Sequence, residues 1–192
     1  MIAILDYNAG NIKSVQNALN RLGYASIITL NRDELLKAEK VIIPGVGEAR
    51  SAMKFLIENG LDSFIPTLKQ PVLGICLGLQ LLCKRSEEGN TPCLGIFESI
   101  VKLFPPQDII PHMGWNNFSK VQGTLMQGIK PLQDFYYVHS YYATISKDTK
   151  SVCNYILPFS ATLEKDNFFA TQFHPEKSDS IGETVLKNFL EL

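Results

Sequence analysis

The sequence predicts an α/β fold: a mostly parallel central sheet flanked by helices, with antiparallel strands in the C-terminal half. Three observations predict it. Short apolar runs alternate with helically spaced ones through the first half. The connections between them are short turns. Beyond about residue 95 the helical spacing gives way to aromatic and β-branched runs, before one last helical stretch. Strands alternating with helices through short connections imply right-handed βαβ units and parallel strands covered on both faces.

In chain order, "IAIL" at 2–5 is a strand ended by Asp6 and the turn-rich "YNAGN". Val15, Ala18, Leu19 and Leu22 then recur at helical spacing until Gly23 stops them. "SIITL" at 26–30 is β-branched, and Asn31 with Glu34 three residues later has the N-cap pattern for a short helix through Ala38. "VIIPGVG" at 41–47 is a buried strand running into a Pro/Gly turn, and "EARSAMKFLIENG" is a helix with a glycine stop. "PVLGI" makes the fourth strand, followed after Cys76 by the helix "LGLQLLCKR". Later, "GIFESIVKLF", "DFYYVHSYYATI", "SVCNYI", "FSATLE" and "NFFATQF" read as strands, several of them antiparallel, before the helix "IGETVLKNFLEL". "PPQDIIPHMGWNNFSK" at 105–120 reads as a proline-rich connection without a clear period.

At 192 residues, with 45% hydrophobic and 19% charged residues, the chain is expected to form a single domain, 1–192, around one sizeable core. A formal net charge of -1 gives no basic field for nucleic acid or an anionic membrane. "MIAILDYNAGN" does not read as a secretory leader, and no apolar stretch approaches a membrane span. Cysteines 76, 83, 93 and 153 form no CxxC pair and have no ligand spacing for a metal, so no metal or cofactor is expected. Reduced thiols in the cytoplasm are the expectation.

One cysteine stands apart. In "PVLGICLGLQ" Cys76 lies between Gly74 and Gly78, where a strand hands over to a helix. G-x-C-x-G there has the pattern of a nucleophile elbow, whose small neighbours allow a strained residue to project its side chain. The helix N-terminus beyond it favours thiolate over thiol. An inert cysteine beside helix-packing glycines would look similar. A nucleophilic thiol needs a base and a group that orients it. His174 is the candidate base, at the end of "NFFATQF", with Pro175 turning the chain so that Glu176 can approach it. "HPE" could equally be an exposed loop with a solvated ion pair. His139, inside "YYVHSYY", is structural or substrate-facing, and His112 lies in the irregular connection. Attack on an amide creates an oxyanion, for which Gly45, Val46 and Gly47 of "PGVG" and the N–H of Leu77 are candidate donors. "PGVGEAR" read as a phosphate loop lacks the third glycine of GxGxxG, and "DYNAGN" also fails that pattern.

"GICLGLQLL", "QFHPEKS" and "PGVG" together resemble class I (triad) glutamine amidotransferases. "DYNAGNIKSV", "PHMGWN", "YYVHSYY" and "HPEKSDSIGETVLKNFL" narrow the resemblance to the glutaminase subunits of imidazole glycerol phosphate synthases, over nearly the whole chain. It implies a flavodoxin-like sheet, a Cys76–His174–Glu176 triad that hydrolyses glutamine through a thioester, and delivery of ammonia to a (β/α)8 cyclase partner in histidine biosynthesis. It also implies that Gln80, Glu88, Ser140 and Tyr141 hold the glutamine head group. By the same resemblance Asn11, Trp115, Tyr136 and Lys177 lie at the subunit interface. For Trp115 the plain alternative is a core anchor, and for Lys177 a solvated charge. Leu79 stands where Met is expected, and Glu48 where some relatives carry His. The rival readings are a related glutaminase feeding another synthase, and a non-catalytic α/β binding module.

Overall fold

The structure, a computed structural model, describes residues 1–7 and 10–192. Asn8 and Ala9, in the expected "YNAGN" turn, lie outside the described residues. The first half follows the predicted alternation: β1 (Ile2–Leu5), α1 (Ile12–Arg21), β2 (Ser26–Thr29), α2 (Arg32–Lys37), β3 (Lys40–Ile43), α3 (Ala49–Glu58), α4 (Leu61–Phe64), β4 (Val72–Ile75) and α5 (Leu77–Leu82). Asn31 caps α2, its side chain accepting the N–H groups of Asp33 and Glu34. The capping box is not reciprocal, because Thr29 intervenes: its hydroxyl takes the Asn31 N–H and donates to Glu34.

The second half adds the short strands β5 (Arg85–Ser86) and β6 (Thr91–Pro92), then β7 (Ile100–Leu103), β8 (His112–Asn116), β9 (Phe118–Lys120), β10 (Phe135–His139), β11 (Tyr141–Ala143), β12 (Thr149–Asn154), β13 (Pro158–Lys165), β14 (Phe168–Thr171) and finally α6 (Asp179–Leu190). Three expectations need correction. The helix after Cys76 stops at Leu82, because Arg85 and Ser86 pair with β6 and β7. The supposed connection 105–120 contains two strands. The run at 134–145 breaks at Ser140, with β10 pairing β8 and β11 pairing β7 in a different sheet.

The main sheet has eight strands in the order β2-β1-β3-β4-β14-β13-β12-β9. The first five are parallel, and the last three join them antiparallel. Counting β14 as the fifth parallel strand gives the order 2-1-3-4-5 of flavodoxin-like sheets. Alternation sorts each strand onto two cores. Ile2, Ile4, Ile42 and Leu73 pack with Val15 and Leu19 of α1 and Leu186 and Phe189 of α6. Ala3, Leu5, Val41 and Val72 pack with Met53 and Leu56 of α3 and Leu79 and Leu82 of α5. Each such aliphatic side chain removed from water contributes about 1.5–3 kcal/mol.

This packing brings three loops to one rim. β4 lies between β3 and β14, with Gly74 opposite both Ile43 and Ala170. The carboxyl ends of these neighbours therefore place the "PGVG" turn, Cys76 and His174 side by side, although 98 positions separate the last two in sequence. The glycines flanking Cys76 have a geometric cause. A Cβ on Gly74 would sit 2.7 Å from the Gly78 carbonyl carbon, and one on Gly78 would collide with the Ile43 carbonyl oxygen. The start of α5 thus packs backbone to backbone on β3 and β4. Gly78→Ala should lose about 2–3 kcal/mol of stability in urea unfolding, since backbone rather than a side chain must yield. A loss of a few tenths would mean that the contact relaxes freely.

Candidate active site

Cys76 has φ 52° and ψ −101°, a conformation that side-chain-bearing residues rarely adopt. Its N–H donates to the Thr171 carbonyl on β14 at 2.7 Å, and the Gln80 N–H donates back to its carbonyl at 3.2 Å. The strain is therefore held from both sides, and the side chain reaches a cavity at the rim. Its sulfur is 3.9 Å from the Val138 carbonyl and 3.6 Å from Nε2 of Gln172.

His174 leaves β14 at the same rim. Its ring is completely buried, and Nδ1 donates to Glu176 Oε1 at 2.7 Å. Since a carboxylate only accepts, Nδ1 carries a hydrogen, which leaves Nε2 as the nitrogen that takes up and releases a proton. Nε2 has no hydrogen-bond partner among the described residues. Burial works against protonation, but the nearby Cys76 thiolate, followed by Glu176, outweighs it and pushes the imidazole up to about 10. Asn11, one of the expected interface residues, donates from Nδ2 to the same Glu176 oxygen that holds His174.

The "PGVG" turn is held by its carbonyls. Pro44 accepts from the Tyr7 hydroxyl, and Val46 accepts from the Gly10 N–H at 3.3 Å. The Leu77 N–H, a candidate oxyanion donor, is committed to the Gly45 carbonyl at 3.3 Å. Gly47 has φ 139°, which favours glycine. Val46, Gly47 and Leu77 line two cavities, of about 310 and 240 Å³, so the turn is a wall between two spaces. The larger cavity is also lined by Cys76, Gln80, Glu88, Ser140 and Tyr141, bringing all four candidate head-group residues beside the thiol. Its size suits a small amino acid. Gln80 Nε2 donates to the Tyr141 carbonyl at 3.0 Å. Glu88 Oε2 accepts the Ala49 N–H at 2.6 Å, and burial raises its carboxyl above the usual range despite that bond.

Strands β8 and β10 form a separate ribbon beside this cavity. Its outer face carries Met113, 64% exposed, and Trp115, 51% exposed, opposite Val138 and Tyr136. Trp115 therefore does not anchor the core. Its ring meets Tyr136 edge-on at 6.0 Å, and Lys177 Nζ lies 5.9 Å from the Tyr136 ring centroid. The Tyr136 carbonyl accepts the His174 N–H at 2.9 Å, so this outer patch is one hydrogen bond from the candidate base.

The inner face carries what the sequence pattern did not reveal. His139 Nδ1 lies 2.8 Å from the Tyr141 carbonyl and must donate to it. His139 Nε2 then accepts from His112 Nδ1 at 3.1 Å, and His112 Nε2 accepts from Asn116 Nδ2 at 3.3 Å. The signal was present in "HMGWN", where His112 and Asn116 alternate with Met113 and Trp115. Burial, with the neighbouring histidines, lowers His139 to about 3. Its folded value lies below the ordinary 6.5, so stability is lost as pH falls below 6.5 and the unfolded chain takes up a proton alone. By pH 5 this amounts to roughly 2 kcal/mol. The raised His174 contributes fully below about 6.5 and adds no slope in that window. His112, lowered by burial to about 4, adds a similar loss in the same window, so the gap between urea midpoints at pH 7 and pH 5 should shrink by about half in His139→Asn, which keeps a donor for Tyr141 but does not titrate. An unchanged pH slope would count against a neutral buried His139.

The sequence profile described as "Glutamine amidotransferase class-I" matches residues 3–192. The chain is 55% identical over its whole length to an imidazole glycerol phosphate synthase subunit HisH of Bacteroides fragilis, covering 99% of that protein. It is 44% identical, at 100% and 99% coverage, to the subunit of the same name in Escherichia coli K12. Among solved structures, a glutamine amidotransferase superposes with a TM-score of 0.72 at 19% identity, over 99% of this chain and 97% of the other. A glutamine amidotransferase of Thermotoga maritima gives 0.67 at 16% identity, over 99% and 80%. These two support the fold alone. With a profile match over nearly its full length and relatives at this identity, the chain belongs to the class-I glutamine amidotransferase family.

Proposed function

We infer that the chain is the glutamine amidotransferase subunit of an imidazole glycerol phosphate synthase, supplying ammonia for histidine biosynthesis. The observation that carries this reading is full-length identity of 55% to a subunit of that name, in a chain whose Cys76, His174 and Glu176 meet at one rim. The chemistry follows from their roles. The Cys76 thiol gives its proton to His174 Nε2, and the thiolate attacks the side-chain amide carbon of glutamine. Glu176 holds the imidazolium through Nδ1. As the tetrahedral adduct collapses, the C–N bond breaks and His174 returns the proton to the departing nitrogen, which leaves as ammonia. Water, deprotonated by His174, then attacks the γ-glutamyl thioester; glutamate departs and the Sγ–H is restored. Glu88 suits the substrate's ammonium group, and the backbone at Ser140 and Tyr141 suits its polar end. Ammonia passes to a (β/α)8 cyclase partner, which docks on the Trp115, Tyr136 and Lys177 face.

The oxyanion requires two donors, and Leu77 N–H is held by the Gly45 carbonyl. Turning the Gly45–Gly47 segment would free that donor and direct a loop N–H at the same point. The cavity on either side gives it room. One oxyanion donor is worth about 10²–10³ in rate, so glutamine hydrolysis should rise roughly 10²-fold when the cyclase partner and its nucleotide ligand are added. High turnover by the isolated chain would contradict a gated loop. Cys76→Ala should abolish glutamine-dependent synthesis while the complex still forms and still works with ammonium salt. Normal glutaminase rates in that variant would remove Cys76 from the chemistry, and a complex that forms but delivers ammonia to another acceptor would change the pathway assigned.

A further inference from the structure

One buried polar group close to the thiol has no part in the chemistry above. Gln172 is completely buried, directly after β14 and two residues before His174. Its N–H donates to the Ala161 carbonyl at 2.9 Å, which fixes its backbone against β13. Its side-chain Nε2 lies 3.6 Å from Cys76 Sγ, while Oε1 is buried with no hydrogen-bond partner among the described residues. An orphaned amide oxygen is costly, and an apolar side chain of the same shape would remove that cost. The amide is kept with its donor end on the sulfur.

We propose that Gln172 is a further catalytic residue of this site, its Nε2–H donating to Cys76 Sγ and stabilising the thiolate. The proposal rests on Cys76 being the nucleophile. The two other close partners of the sulfur sort by protonation state. The Val138 carbonyl, 3.9 Å away, can accept from a thiol but repels a thiolate. Gln172 favours the anion, because a hydrogen bond to a charged acceptor is about twice as strong as one to a neutral one. His174 supplies the proton's destination and Gln172 a fixed dipole that needs no proton. The need is sharpened by α5, whose six residues align few peptide dipoles behind the sulfur. The donor would act twice: when the thiolate forms to attack glutamine, and when it departs from the thioester.

The test uses the complex with the cyclase partner. Iodoacetamide inactivation is followed against pH, with peptide mass spectrometry to identify the alkylated residue, beside kcat and KM for glutamine. Gln172→Met keeps the shape without the donor, and Gln172→Glu puts a carboxylate against the sulfur. The pH midpoint of inactivation should rise by about one unit in Gln172→Met and further in Gln172→Glu, with kcat falling about tenfold or more and KM little changed. Equal midpoints in all three proteins, with residue 76 alkylated in each, overturn the proposal and leave the nucleophile intact. Alkylation elsewhere, together with turnover in Cys76→Ala, would instead overturn the nucleophile. In the unsubstituted protein the Gln172 side-chain amide proton should shift downfield with the same midpoint as alkylation, a reading that needs no variant to fold. An amide signal that ignores the thiol's titration overturns the proposal as well.

Discussion

The backbone of one residue, Cys76 at φ 52°, is the constraint on which the candidate site depends. A side-chain-bearing residue holds such a conformation only where its surroundings over-determine it. Here the surroundings are the backbone-to-backbone packing of α5 on β3 and β4 through Gly74 and Gly78, and the bond from the Cys76 N–H to Thr171. The same contacts that strain the residue also aim it. With no side chain at Gly74 or Gly78 between the first turn of α5 and the strands, the sulfur is carried past the strand ends to the rim where β3 and β14 deliver their loops.

Around the sulfur, each neighbouring strand supplies a different electrostatic service. β14 brings His174 and Gln172, one able to take a proton and one that turns an amide N–H toward the sulfur. β3 brings the turn whose carbonyls are now bonded to Tyr7, Gly10 and Leu77. The loop after β1 brings Asn11 to the Glu176 oxygen that also holds His174. The ribbon β8–β10 joins this machinery to an exposed aromatic face through a backbone bond from His174 to Tyr136. Its inner histidines, kept neutral by burial, brace the Tyr141 carbonyl that Gln80 also contacts.

Much of this was legible in the sequence, for identifiable reasons. The strands β1, β3 and β4 are short, apolar but for Lys40, and followed by turn residues, so their carboxyl ends could be located and the candidates on them named. Cys76, His174 and Glu176 needed only local pattern, a glycine-flanked elbow and a proline turn. What was missed depends on pairing over distance. Segment 112–120 shows a two-residue alternation too short to stand out beside its prolines, and its strands exist because β10 and β12 lie alongside. Ser140 breaks an otherwise continuous aromatic run, and nothing local says that its halves join different sheets. The helix after Cys76 ends early because Arg85 and Ser86 are claimed by β6 and β7. Gln172 reads as one polar residue at a strand end, and only its 3.6 Å approach to the sulfur gives it meaning.

The central claim is that a thiolate at position 76, held by this strained turn, carries the acyl group of glutamine. Its most direct test is to quench the working complex in acid within a turnover of isotopically labelled glutamine and map the label by peptide mass spectrometry. The account predicts a γ-glutamyl thioester on the peptide containing Cys76 and on no other. Label on a different residue, or steady glutamate release with no acylated peptide at any quench time, would contradict it.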